Sequence, residues 1–144
     1  MQTDRPQAPG YLANLMARLF HEVAGEGLEP LGIRPEQFPI LVDLWFGGTD
    51  VTSVSLARSQ EMGGREVELL LLSLAADQLI PRIPIDPEEK IVLTDRAMAI
   101  RDGAIEAARR ANQAAAGALS EDEMAQLLAL MNRVIDALQA AKSR

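Results

Sequence analysis

One stretch, Asp50 to Arg96, constrains the fold of this chain more than any other. Asp50-Val51-Thr52-Ser53 offers capping side chains for a short helix through Leu56, Ala57 and Gln60, and Met62-Gly63-Gly64 then makes a turn. A second helix, from Arg65 to about Gln78, carries Val67, Leu70, Leu71 and Leu74 as its core stripe and leaves Leu69 and Leu72 off it. Ile80-Pro81-Arg82-Ile83-Pro84-Ile85 and Ile91-Val92-Leu93 are the only β-branched runs of the chain, and Asp86-Pro87-Glu88-Glu89 between them has turn chemistry. The pattern predicts a helix–turn–helix followed by a two-stranded β-wing, with the prolines keeping the first strand at an edge. Nucleic acid is the default partner of that arrangement. The charge argues against it, because the stretch holds nine carboxylates and five cations, a net −4.

Elsewhere the balance is −3 over residues 1–49 and zero over residues 97–144, which gives −7 for the whole chain. Loose, sequence-independent nucleic-acid binding depends on neutralising phosphates with Lys and Arg, so this composition disfavours it. With 144 residues and 48% hydrophobic content, the chain suits one domain with one buried core. Aromatics make up only 3%, which favours helices packed through aliphatic stripes, and the expected class is mostly α. No cysteine is present, which excludes disulfides, thiolate zinc sites and cysteine nucleophiles. The first residues show neither a basic n-region nor an apolar run, and no stretch approaches the roughly 18 apolar residues of a membrane span. A soluble cytoplasmic protein with no membrane partner is expected.

Residues 1–9 read as a flexible tail. The first helix should begin near Gly10, with Tyr11, Leu12, Leu15, Leu19, Val23 and Leu28 on one face; Gly25 and Gly27 weaken its second half, where a bend would fit. Gly32 suits the left-handed residue that closes a helix and Pro35 suits the first turn of the next, whose stripe is Phe38, Leu41, Val42 and Trp45 before Gly47-Gly48 stop it. Thr94-Asp95 should cap a long helix from Arg96 to about Gly117. Ser120-Glu121-Asp122-Glu123 is a capping box, and it opens a last helix striped with Met124, Leu127, Leu128, Met131, Val134, Ile135 and Leu138. The first helix and the last two leave apolar faces that a compact three-helix body with a wing does not cover. Either they fold back on their own chain, or, as long apolar stripes suggest, they interdigitate with a second copy in a two-fold dimer.

Several segments together resemble the MarR family of winged-helix regulators over nearly the whole length. Leu31-Gly32-Ile33-Arg34-Pro35-Glu36-Gln37-Phe38 is similar to the family's Leu-Gly-Leu-Thr-x-x-Gln-aromatic opening of its second helix, with Arg34 where Thr or Ser is usual. Val54-Ser55-Leu56-Ala57 resembles the first helix of the helix–turn–helix, and Leu70-Leu71-Leu72-Ser73-Leu74 with Leu79-Ile80 resembles the recognition helix running into the family's Gly-Leu-Ile. Asp86-Pro87 through Leu93-Thr94-Asp95-Arg96-Ala97 resembles the wing and the start of the long dimer helix.

The resemblance implies one MarR-like domain over residues 1–144. Its dimerisation helices would span 10–32 and 95–142, and its winged helix–turn–helix body 35–94. It further implies a homodimeric transcription regulator on a palindromic double-stranded DNA operator. The DNA-contacting positions would be Arg58, Ser59, Arg65, Glu66, Glu68, Leu69, Ser73, Arg82 and Lys90. A small aromatic effector would bind near Arg18, His21, Phe38 and Trp45, which combine apolar bulk with a few polar tips. The departures fall on the DNA-contacting parts: carboxylates and a leucine stand where small hydroxyl residues and an Arg are usual, Gln78 replaces a glycine, and the short wing offers Lys90 ahead of its second strand. A winged helix that has lost DNA and holds a protein through Leu69 and Leu72 is the alternative.

No catalytic constellation is present. The lone His21 lacks partners at triad or metal spacing, the acidic clusters lack calcium-loop or His-carboxylate spacing, and Gly47-Gly48 and Gly63-Gly64 lack the strand or Lys of a phosphate loop. Neither an enzyme nor a cofactor or metal is expected.

Overall fold

A computed structural model describes residues 4–48, 50–83 and 86–142. Helix α1 spans Pro9–Leu28, opening on a proline at its first turn and running through Gly25 and Gly27 without interruption. Gly25 lies against the ring of Pro35, where a Cβ would sit 3.7 Å from Pro35 Cγ. A 3-10 turn over Glu29–Leu31 ends at Gly32, whose φ of 76° is the left-handed conformation expected there. A second 3-10 turn, Pro35–Gln37, leads into α2, Phe38–Phe46.

Gly47 closes α2 at a point where only glycine fits. A Cβ there would lie 2.4 Å from Val51 Cγ2 and 2.5 Å from the Asp43 carbonyl. Helix α3, Ser53–Ser59, is capped reciprocally: the Ser55 N–H donates to Thr52 Oγ1 at 3.1 Å and the Thr52 N–H donates to Ser55 Oγ at 2.8 Å. Helix α4, Gly64–Ala76, completes the helix–turn–helix.

The hairpin does not appear among the described residues, where no strand forms. Pro84 and Ile85 of its expected first strand lie outside them, as do residues 1–3 of the expected tail. Two backbone donors of the 86–94 segment reach the body: the Ile91 N–H donates to the Val51 carbonyl at 2.9 Å and the Thr94 N–H to the Leu79 carbonyl at 3.1 Å. Those donors go to the residues before α3 and after α4, so the segment is stitched to the body at these two points.

The long helix expected from Arg96 to Gly117 is interrupted. Thr94 caps α5, Asp95–Ala99, and α6 runs from Arg101 to Ala116. Ile100 between them has φ −93° and ψ −2°, yet its N–H still reaches the Arg96 carbonyl at 3.3 Å and its carbonyl accepts from Ala104 at 3.1 Å. The break is one tightened turn. Helix α7, Glu121–Lys142, starts from the expected capping box, with the Glu123 N–H donating to Ser120 Oγ at 3.1 Å and the Ser120 N–H to Glu123 Oε1 at 2.9 Å.

The chain divides into two compact units, residues 1–108 and 109–144. The first holds the core, in which Leu28, Ile40, Leu41, Leu56, Leu74, Leu79 and Ile80 are almost wholly buried and Ala97, Ala104 and Ala107 pack closely. Within it, α1 leaves Tyr11, Met16, Leu19 and Val23 exposed. In the second unit α7 buries none of its residues, and Leu128, Met131, Val134, Ile135 and Leu138 remain open to solvent. No helix among the described residues is long and apolar enough to cross a membrane.

Candidate nucleic-acid interface

Helix α4 is fixed from inside. Val67, Leu71 and Leu74 face the core, and Gln37, a buried polar residue with no exposed surface, ties the opening of α2 to the far end of α4. The Gln37 amide nitrogen donates to Ser73 Oγ at 2.6 Å and to Asp77 Oδ2 at 2.8 Å, while its carbonyl oxygen accepts from the Arg34 N–H at 2.9 Å. Arg34 reaches Asp77 at 3.5 Å. A buried amide costs stability unless its groups find partners, and here three of its bonds converge on the joint that sets the helix's position. Ser73, expected at DNA, thereby accepts from Gln37 through its hydroxyl oxygen at a half-buried site.

The outward face of α4 is the opposite of its inner one in shape but not in chemistry. At about 100° per residue, Arg65, Leu69, Leu72 and Ala76 fall on one line, turned away from Val67 and Leu74. Leu69 is 52% exposed and Leu72 is 51% exposed. Glu66 and Glu68 flank that line, and Arg65 Nη1 lies 3.4 Å from Glu68 Oε2.

The 80–94 segment also carries its cations paired. Arg82 bonds to Glu89, and Lys90 Nζ lies 3.3 Å from Asp50 Oδ1. The turn at its tip leans on α3: the Val54 N–H, one of the donors a helix start leaves without an internal partner, bonds to the Pro87 carbonyl at 3.2 Å. Arg58 is exposed near the end of α3. Ser59 lies beside it but donates to Asp43 Oδ2 at 2.7 Å, which also accepts from Gln60 at 2.8 Å, so this hydroxyl joins α3 to α2. Of the nine residues expected at DNA, the structure gathers Arg65, Glu66, Glu68, Leu69 and Ser73 on one helix, and Arg82 and Lys90 on the segment after it. Glu68 and Glu89 lie close in sequence to the cations they answer, whereas the pairing of Asp50 with Lys90 and the bonds of Gln37 to Ser73 and Asp77 join residues far apart in the chain, which spacing does not signal.

No family model and no curated protein matches the chain by sequence. Solved structures do match its shape. The Staphylococcus aureus MepR–DNA complex superposes with a TM-score of 0.78 at 24% identity, covering 91% of this chain and 96% of that one. A MarR transcriptional regulator from Methanosarcina mazei gives 0.78 at 14% identity, with 91% and 94% covered. The chain has the MarR-family winged-helix fold. A Mycobacterium tuberculosis MarR family protein in complex with DNA matches at 0.63 and 21% identity over 91% of this chain and 98% of that one. The same protein has been solved with p-aminosalicylic acid, matching at 0.63 and 20% identity over 88% and 98%.

Within this MarR fold the four residues expected at an effector do not share one environment. Arg18 and His21 are exposed on α1. Phe38 and Trp45 pack edge to face with centroids 6.2 Å apart, and the Trp45 indole N–H donates to the Ala97 carbonyl at 3.1 Å, which joins α2 to α5. An open cleft of about 320 Å³ instead lies between α2 and α3, lined by Val42, Asp43, Phe46, Gly47, Val51, Ser55 and Ser59. Among the described residues no cluster of three or more His, Asp or Glu could hold a metal ion.

Proposed function

We propose that the chain is a dimeric, DNA-binding transcriptional regulator of the MarR type, with no enzymatic step of its own. The observation that carries this reading is α4: a helix locked to the body through the buried Gln37, with its outward face free, in a fold shared with regulators that have been solved on DNA. Two such helices on a two-fold axis would read a palindromic operator. The exposed stripe of α1, and that of α7, are surfaces a second copy would cover. A small aromatic acid is the proposed effector, with Arg18 as the cation for its carboxylate; support comes from the relative solved with p-aminosalicylic acid. A salt titration over genomic DNA fragments tests the core of the reading. At least one fragment should bind better than random DNA at low ionic strength, and a uniform failure to discriminate sinks it.

A second reading is favoured by the same outward face. Leu69 and Leu72 between Glu66 and Glu68, with the cations of the following segment paired to carboxylates, form an acid-rimmed apolar surface that fits a protein partner. Under it, a Leu69→Asp/Leu72→Asp variant loses a partner that the parent retains in a pull-down; an unchanged set of partners removes this reading.

A further inference from the structure

We infer that Leu69 and Leu72 are base-reading residues that recognise the 5-methyl groups of thymine, so the operator of this protein is defined by a pair of closely spaced thymines in each half-site. The inference rests on the DNA-binding reading above and deepens it.

The argument begins with what the outward line of α4 can offer. Recognition helices usually discriminate bases through donors and acceptors that match the edges exposed in the major groove. Along Arg65, Leu69, Leu72 and Ala76 only Arg65 carries a donor, and its guanidinium lies against Glu68. No amide or hydroxyl stands on that line, so the bidentate contacts that select adenine through Asn or Gln are absent from it. Two leucines, each about half exposed, occupy the centre. Thymine alone among the bases presents a methyl group in the major groove, and apolar contact with that methyl is the one discriminating interaction a leucine can make there.

The spacing is compatible with two separate contacts. Residues three apart on a helix have Cβ atoms about 5–6 Å from each other, and base pairs succeed each other at about 3.4 Å along a strand. The two side chains therefore span neighbouring base pairs or pairs one step apart. A face of this kind gains little from the phosphates and depends on the bases, which suits a chain whose overall charge is −7.

The test uses the full-length protein and a duplex selected by it from a random pool at low ionic strength. Each thymine of the selected half-site is replaced in turn by deoxyuridine, which removes the methyl and leaves the hydrogen-bonding edge intact. Two positions per half-site should each lose about fourfold in affinity, the effect of one buried methyl. Leu69→Ala should abolish the thymine–uracil difference at one of them and Leu72→Ala at the other, with each variant keeping the remaining difference. Both side chains are exposed, so thermal melting should match the parent. A selected duplex that binds equally well with deoxyuridine at every thymine overturns the inference and leaves the DNA-binding reading standing; so do variants that keep full discrimination at both positions. If no duplex is selected at all, both fall together.

Discussion

Helix α4 and the segment after it are the two parts of this molecule that we propose meet DNA, and they are held in opposite ways. The helix is anchored by buried groups, namely Val67, Leu71 and Leu74 in the core and Gln37 bridging to Ser73 and Asp77. The 80–94 segment is held by Ile91 in the core, by a few backbone bonds, and by exposed ion pairs, Arg82 with Glu89 and Lys90 with Asp50. Anchoring from inside leaves an outer face unchanged when a ligand arrives. Anchoring by surface charge uses the same cations that phosphates would require, so any phosphate contact by this segment exchanges one ionic partner for another. Such a swap yields little net affinity, since exposed pairs contribute only about 0–1 kcal/mol each.

The sharpest way to break the contrast is to cut the inner anchor. Leu74→Ala, at a position with no exposed surface, should cost about 2–5 kcal/mol in a denaturant titration; a loss under about 1 kcal/mol would show that α4 is not core-anchored. Gln37→Leu leaves Asp77 and Ser73 without their amide donor and should cost about 1–3 kcal/mol. A circular dichroism melt unchanged by it would argue that the buried amide is dispensable. Of intermediate size is the effect of neutralising the flanks of α4. Glu66→Gln with Glu68→Gln removes two charges that would stand near phosphates and releases Arg65, so affinity for one half-site should rise roughly thirtyfold at low salt, from about 1 kcal/mol for each of two close charge pairs in water. Equal affinity would mean that these carboxylates lie away from the backbone of the duplex. Smallest is Asp50→Asn, which frees Lys90 and should change stability by less than about 1 kcal/mol while making DNA binding more salt-dependent. A stability loss larger than that would place the segment among the core-anchored elements and erase the comparison.

Much of the fold was legible in the sequence because helices of this kind announce themselves locally. The capping residues Thr52, Thr94 and Ser120, the left-handed Gly32 and the core stripe Val67, Leu71, Leu74 all depend on neighbours within a turn or two. The interruption at Ile100 was not legible, since the weak helix former nearby, Gly103, lies inside α6 and not at the break. The hairpin expectation failed to find a ladder among the described residues for a related reason. β-Branched residues fit a pleated surface but do not say which backbone they will pair with, and here Ile91 pairs with Val51 across a long separation in sequence. The candidate site divides similarly. The placement of Leu69 and Leu72 off the core stripe follows from period alone, and they are exposed. That Ser59 and Ser73 would be taken by Asp43 and Gln37, and that Arg82 and Lys90 would meet Glu89 and Asp50, depends on tertiary neighbours that spacing cannot supply.

Trp45 is the only tryptophan in the chain, and its indole N–H is bound to the carbonyl of Ala97. The protein therefore carries an intrinsic optical gauge at the joint between α2 and α5. Its emission should be that of a shielded indole, and it should shift when an effector or a partner moves α5 against α2. Events confined to the outer face of α4 should leave it untouched. Fluorescence on the unmodified protein thus separates contact at the reading surface from rearrangement of the body behind it.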